Sequence, residues 1–208
     1  MKWLTTITLL FCGLLFSSSN PASERKKESA MVSFLTEYLD IKYKEHRFET
    51  YLYVAAKKQR LYLISGNEVI RSFPVSTARK GIGQKSGSFQ TPVGLHKVRE
   101  KVGDTVPVLG IIREKVFTGS VANINNKPQA GSGDVITTRV MHLDGLESGV
   151  NKGGDCDSYN RGIMIHGTPD EGLIGRPASH GCVRMKNQDI IELFDLIPAG
   201  TYVVILNN

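Results

Sequence analysis

Thr50-Tyr51-Leu52-Tyr53-Val54-Ala55, then Arg60-Leu61-Tyr62-Leu63-Ile64, then Val69-Ile70-Arg71-Ser72-Phe73-Pro74-Val75-Ser76 set the fold class. All three runs are rich in β-branched and aromatic residues, which suit a pleated, half-buried surface. The polar link Ala56-Lys57-Lys58-Gln59 fits a hairpin between the first two. Ser65-Gly66-Asn67 turns the chain into the third, so the domain opens as a β-meander.

Working outward toward the C-terminus, the same pattern returns. Thr91-Pro92-Val93-Gly94-Leu95-His96-Lys97-Val98 starts a strand after a proline-set turn, and residues 119–134 read as loop. Val135–Leu143 is a β-branched strand, and Gly162–His166 a short buried strand ending in a histidine. One helix is expected at Asn187–Ile197, stopped by Pro198-Ala199-Gly200, with Thr201–Leu206 as a closing strand. Many short strands and few helices predict a mostly β, sandwich or barrel-like domain over residues 48–208. Glycine agrees: 21 of 208 residues is about a tenth, against roughly 7% in average proteins. No internal repeat is evident.

Toward the N-terminus, Ser29–Leu39 carries apolar residues at 31, 34, 35, 38 and 39, which is helical spacing. Residues 23–47 are therefore expected to form an amphipathic helical lead-in that packs on the domain. Ahead of it, Lys2 precedes an apolar run from Trp3 to Phe16 and the small residues Ser17-Ser18-Ser19. That is the pattern of a secretory signal peptide, placed at residues 1–22. Export to the periplasm or cell envelope follows, with retention by an uncleaved leader as the alternative. Cys12 follows the bulky Phe11 and is read as an apolar leader residue rather than a lipid attachment point. The net charge of +6 is spread along the chain, and its densest run, Arg25-Lys26-Lys27, lies just after the leader. Nucleic-acid binding would want a clustered basic stripe. A basic exported protein facing an anionic envelope polymer fits better.

The residues able to carry chemistry sit between His166 and Arg184. Ile165-His166-Gly167-Thr168 is followed, after a loop, by Ala178-Ser179-His180-Gly181-Cys182-Val183-Arg184-Met185. A cysteine in a polar, glycine-bearing loop is a candidate nucleophile, provided a base or positive neighbour activates it. His166 and His180 are the near candidates for that base. Gly181 permits close backbone approach, and amides around Gly181 and Cys182 are candidates for holding an oxyanion. The Arg184 guanidinium suits a carboxylate.

These two segments resemble the active-site signature of the L,D-transpeptidases of the YkuD-type catalytic domain, and Thr91-Pro92-Val93-Gly94 resembles a turn in that domain's first half. The similarity covers roughly residues 50–206. It implies a β-sandwich with one or two short helices, acting on peptidoglycan stem peptides in cell-wall biogenesis. It also implies Cys182 as nucleophile and His166 as general base and acid. The Gly167 carbonyl would orient the histidine, Ser179, His180 and Gly181 would shape the oxyanion and substrate pocket, and Arg184 stands where the family has Asn or Arg. The implied reaction is attack on the third stem residue, release of D-alanine and transfer of the thioester to an amine. The product is a 3→3 cross-link or an anchored envelope protein. With water as acceptor the enzyme is an L,D-carboxypeptidase. No metal or cofactor is implied, and a monomer is expected.

Two other classes stay open on the residues alone. His142, Asp144, His166, His180 and Cys182 would be the ligands of a zinc peptidase, though their spacing matches no common zinc signature. A non-catalytic wall-binding module is the other. His96 and His142 read as structural histidines, His46 as solvated, and Tyr159 and Arg161 as facing substrate. Cys156, between Asp155 and Asp157, is a poor nucleophile, because carboxylates raise a thiol pKa. Cys156 and Cys182 are both expected to be free thiols.

Overall fold

The computed structural model describes residues 21–129, 131 and 133–208. The leader reading of residues 1–20, Cys12 included, lies outside the described residues. A helix α1 (Pro21–Lys42) is followed by β1 (Thr50–Ala55), β2 (Arg60–Ser65), β3 (Glu68–Pro74), β4 (Gly94–Val102), β5 (Gly110–Arg113) and β6 (Val116–Val121). Then come β7 (Thr137–Gly145), β8 (Met164–Gly167), β9 (Val183–Met185), α2 (Asn187–Leu196) and β10 (Tyr202–Leu206). The mostly β expectation holds.

The strands form one mixed sheet, ordered β3-β2-β1-β10-β4-β7, with β7 also pairing to β8 and β5. β1 lies parallel to β10 and β8 parallel to β9, while the other pairs are antiparallel. Just past β3, Ser76 and Arg184 exchange both backbone hydrogen bonds at 2.9 Å. The sheet therefore curls back until the chain after β3 meets β9.

The period-2 alternation splits the strands between two cores. Leu52, Val54, Leu61, Leu63, Val203 and Ile205 face the interior of the curl, with Ile165, Val183, Met185 and the α2 residues Ile190, Leu193 and Phe194. Tyr51, Tyr53, Ile64 and Val204 face the other way, against Val32, Leu35 and Leu39 of α1. Each such leucine, fully buried, stabilises by roughly 1.5–3 kcal/mol. The helix is longer than the 29–39 stretch that the apolar spacing predicts. It buries positions 32, 35 and 39 and leaves Phe34 53% exposed, so its seam is narrower than the sequence pattern. Its C-terminal end is tied down by Glu147, which accepts from the Leu95 amide (2.6 Å), the Tyr43 hydroxyl (2.7 Å) and Lys42 (3.0 Å).

The β5–β6 hairpin was not expected, and β6 runs into the stretch read as loop. Its two-residue turn is Glu114-Lys115, both at positive φ (50° and 68°). That geometry normally selects Asn and Gly, so the turn carries no readable signal.

Candidate active site

Strand pairing assembles the site. β8 and β9 are parallel neighbours with Ile165 opposite Val183, His166 opposite Arg184 and Gly167 opposite Met185. Ile165, Val183 and Met185 point into the core. Alternation therefore turns His166 and Arg184 to the other face, along with Cys182, one residue ahead of β9. Adjacent strands lie about 4.8 Å apart and two residues span about 6.6 Å. The register thus sets Cys182 opposite Met164 and diagonal to His166 on the same face, across 16 residues of sequence.

The loop before β9 is held by its own side chains. The Ser179 hydroxyl donates to the Cys182 carbonyl at 2.6 Å and accepts from the Gly181 amide at 3.2 Å. That amide, one of the expected oxyanion donors, is thus engaged within the loop. Gly181 has φ 137°, a conformation that favours glycine, and a Cβ there would lie 3.1 Å from Ile163 Cδ1. The half-buried Cys182 thiol donates to the Gly162 carbonyl at 3.3 Å. Burial pushes its pKa up to about 12, with the Asp134 charge adding to the rise. The Met164 amide, Arg184 and Arg161 oppose that rise without overcoming it. The sequence reading looked for a lowered thiol pKa; desolvation wins instead.

His166 is 1% exposed, and its Nδ1 lies 2.8 Å from the Gly167 carbonyl. A carbonyl only accepts, so Nδ1 carries the hydrogen, and Nε2 of the neutral ring keeps a lone pair. Burial moves the imidazole pKa below its ordinary value, while Asp134 pulls the other way. The resting pair is therefore a protonated thiol and a neutral imidazole, suited to proton transfer during attack rather than to a standing ion pair. Gly167 is required by packing, because a Cβ would sit 2.6 Å from the Thr137 carbonyl and 3.0 Å from Asn187 Oδ1.

Arg184 is 3% exposed, and its Nη2 lies 2.6 Å from Oδ1 of Asp134. The other Asp134 oxygen meets His180 Nδ1 at 3.0 Å. The exposed His180 ring also packs edge-on against Phe89, at 5.8 Å between centroids, and Lys80 lies over the other ring at 5.0 Å. Arg184 thus already grips a carboxylate, one supplied by the chain itself. Sequence reasoning missed Asp134 and Phe89. Asp134 falls in the stretch read only as loop, and Phe89, held at φ 57°, belongs to no motif.

The remaining residues sort by their partners. Arg161 donates to the carbonyls of Gly83 (3.2 Å) and Gln90 (2.7 Å), tying the loop between β3 and β4 to the approach to β8. Tyr159 bonds Glu100 at 2.8 Å and lies 6.0 Å from the half-buried His142 ring, so it joins a surface network. His96 is fully buried between the Gly94 carbonyl (3.1 Å) and Ser158 (2.9 Å), and burial depresses its pKa to about 4. His46, expected in solvent, is half-buried and bonds the Tyr202 hydroxyl at 3.1 Å. Cys156 and Cys182 are free thiols. Among the described residues no three His, Cys, Asp or Glu side chains converge as a metal site would require.

Comparison with known proteins adds a family likeness. A family model for the L,D-transpeptidase catalytic domain matches residues 49–205. The Bacillus subtilis protein YkuD, which carries an L,D-transpeptidase name, is 51% identical over 60 residues, covering 26% of this chain and 37% of that protein. Escherichia coli YbiS, named in the same way, is 54% identical over 39 residues, covering 19% of this chain and 13% of its own. The match therefore spans well under half the length of these relatives. An L,D-transpeptidase from Mycobacterium smegmatis superposes with a TM-score of 0.47 at 14% identity, over 76% of this chain and 58% of that one.

Proposed function

Because this chain belongs to the L,D-transpeptidase catalytic-domain family, we propose that it is an exported peptidoglycan L,D-transpeptidase with Cys182 as nucleophile and His166 as general base and acid. The reading rests on one arrangement: an imidazole on β8 with a free Nε2 lone pair, and a thiol one residue ahead of the paired strand β9. Cys182 Sγ attacks the carbonyl carbon of the third residue of a tetrapeptide stem, and its proton passes to His166 Nε2. The tetrahedral adduct collapses as the C–N bond breaks, His166 returns the proton to the departing D-alanine amine, and a thioester remains on Cys182. An amine then attacks the thioester, giving its proton to His166 and restoring the thiol. The amine of a neighbouring stem gives a 3→3 cross-link, and an envelope protein's amine gives an anchor. The Gly167 carbonyl orients the histidine, Ser179 and Gly181 set the cysteine loop that shapes the oxyanion pocket, and His180 and Arg184 border the substrate site with Asp134 between them. No step draws on a cofactor.

The test is mass spectrometry of disaccharide-tetrapeptide muropeptides incubated with the purified chain. Cross-linked dimers with loss of D-alanine are the expected products. Tripeptides without dimers would instead make it an L,D-carboxypeptidase, and unchanged muropeptides would overturn the reading. Cys182→Ala is expected to abolish all products and the mass shift that a carbapenem adds. Turnover by that variant would overturn the assignment of the nucleophile.

A further inference from the structure

Arg184 stands one strand from His166, in register across the β8–β9 pair and almost wholly buried. A guanidinium cannot discharge in a protein. A fixed positive charge on the neighbouring strand opposes a second positive charge on the imidazole. Yet the acyl-transfer cycle requires that second charge each time His166 takes the thiol proton. Asp134 answers it, with one oxygen 2.6 Å from Arg184 and the other 3.0 Å from His180. Close to Asp134 in sequence, the Gly131 amide donates to Asp170 at 3.0 Å, and Asn125 does so at 2.9 Å.

We propose that Asp134 is a positioning residue for acyl transfer: its carboxylate neutralises Arg184 and so permits His166 to carry the Cys182 proton. This rests on the Cys182–His166 reading above. The charged and titratable groups acting on His166 are Asp134 from ahead of β7, Arg184 from β9 and His142 from β7. From α2, on the other side of β8, comes the uncharged Asn187, with Glu171 at its head. Asp134 pulls the imidazole pKa up, while Arg184 and His142 push it down. Burial acts to raise the Asp134 pKa, but His166, Arg184 and His180 hold it below the ordinary carboxylate value.

The experiment measures kcat/KM against pH on a tetrapeptide muropeptide, alongside an NMR titration of the His166 imidazole. It compares the full chain with Asp134→Asn and with the double variant Asp134→Asn, Arg184→Met. The asparagine keeps the shape and removes the charge, so His166 should become harder to protonate. Its titration and the acid limb of the profile should move to lower pH by about half a unit or more. The kcat should fall about 10- to 100-fold. The double variant removes both charges and should return the titration toward the wild-type position and regain about tenfold in rate. An unmoved His166 titration in Asp134→Asn, or a double variant no closer to wild type, overturns the proposal. If the single variant does not fold, a folded double variant more than about 100-fold slower than wild type overturns it. If wild type makes no product, the transpeptidase reading fails, and the NMR titration still decides Asp134.

Discussion

Cys182 and Gly181 show what single residues contribute here. The thiol rests protonated, pushed up to about 12 by burial, because no cation touches it closely enough to offset desolvation. In the proposed reaction the thiol proton must then pass to the neutral imidazole at the moment of attack. Gly181 serves this by holding the cysteine loop at φ 137° with Ile163 against its Cα. Gly181→Ala is expected to cost about 1–3 kcal/mol from backbone strain alone. It should also displace Cys182 from the Gly162 carbonyl, so kcat should fall more than tenfold, on the order of 1.4 kcal/mol in barrier; urea melts and muropeptide turnover check the two effects. The Cys182, His166 and Gly181 grouping is legible in the sequence, because a thiol, a histidine and a permissive glycine at that spacing form a local pattern. Asp134 was not, because a lone carboxylate in a loop has no spacing that points at strands 30 and 50 residues downstream.

At the scale of elements, β7 and α2 support the site from behind. β7 carries a register shift between Thr137 and Val140, with the β-branched Thr138 at φ 69°. This irregularity turns the hydroxyls of both Thr137 and Thr138 onto Asn187 Oδ1. The Asn187 side-chain amide donates to the Thr168 carbonyl and to Glu171, both at 2.8 Å, while Glu171 also takes the first backbone amide of α2 at 2.9 Å. One buried side chain thus locks the helix start to the strand that bears His166. Asn187→Ala removes the bonds it makes to two buried hydroxyls and a carbonyl, leaving Thr138 with only the Leu109 amide. It is expected to destabilise by about 2–4 kcal/mol, read as a lowered urea midpoint with an unchanged slope. The helix itself was readable from its apolar spacing and its Pro-Ala-Gly stop. The bulge was not, because its residues are good strand formers and the kink comes from what they bond.

Across the whole molecule, the sheet separates two jobs. One face closes around the core beneath β8 and β9, and the other receives α1 through Val32, Leu35 and Leu39. Leu35→Ala, at a fully buried position, is expected to cost about 2–5 kcal/mol by urea unfolding. Turnover per folded molecule should stay near wild type, because the vacated space lies across the sheet from Cys182; a matching loss of kcat would show that α1 also shapes the site. The strand-rich class, the lead-in helix, the closing helix and strand, and the cysteine motif are all readable from the residues alone. All of these are written in local residue chemistry, in alternation, apolar spacing and turn residues within a few positions. Only the tertiary structure decided that one curled sheet does the work of a sandwich. It also decided that β8 and β9 lie side by side, and that Arg184 is spent on Asp134. Those outcomes depend on which distant segments pair, and on burial that raises a thiol pKa and leaves a guanidinium needing a carboxylate.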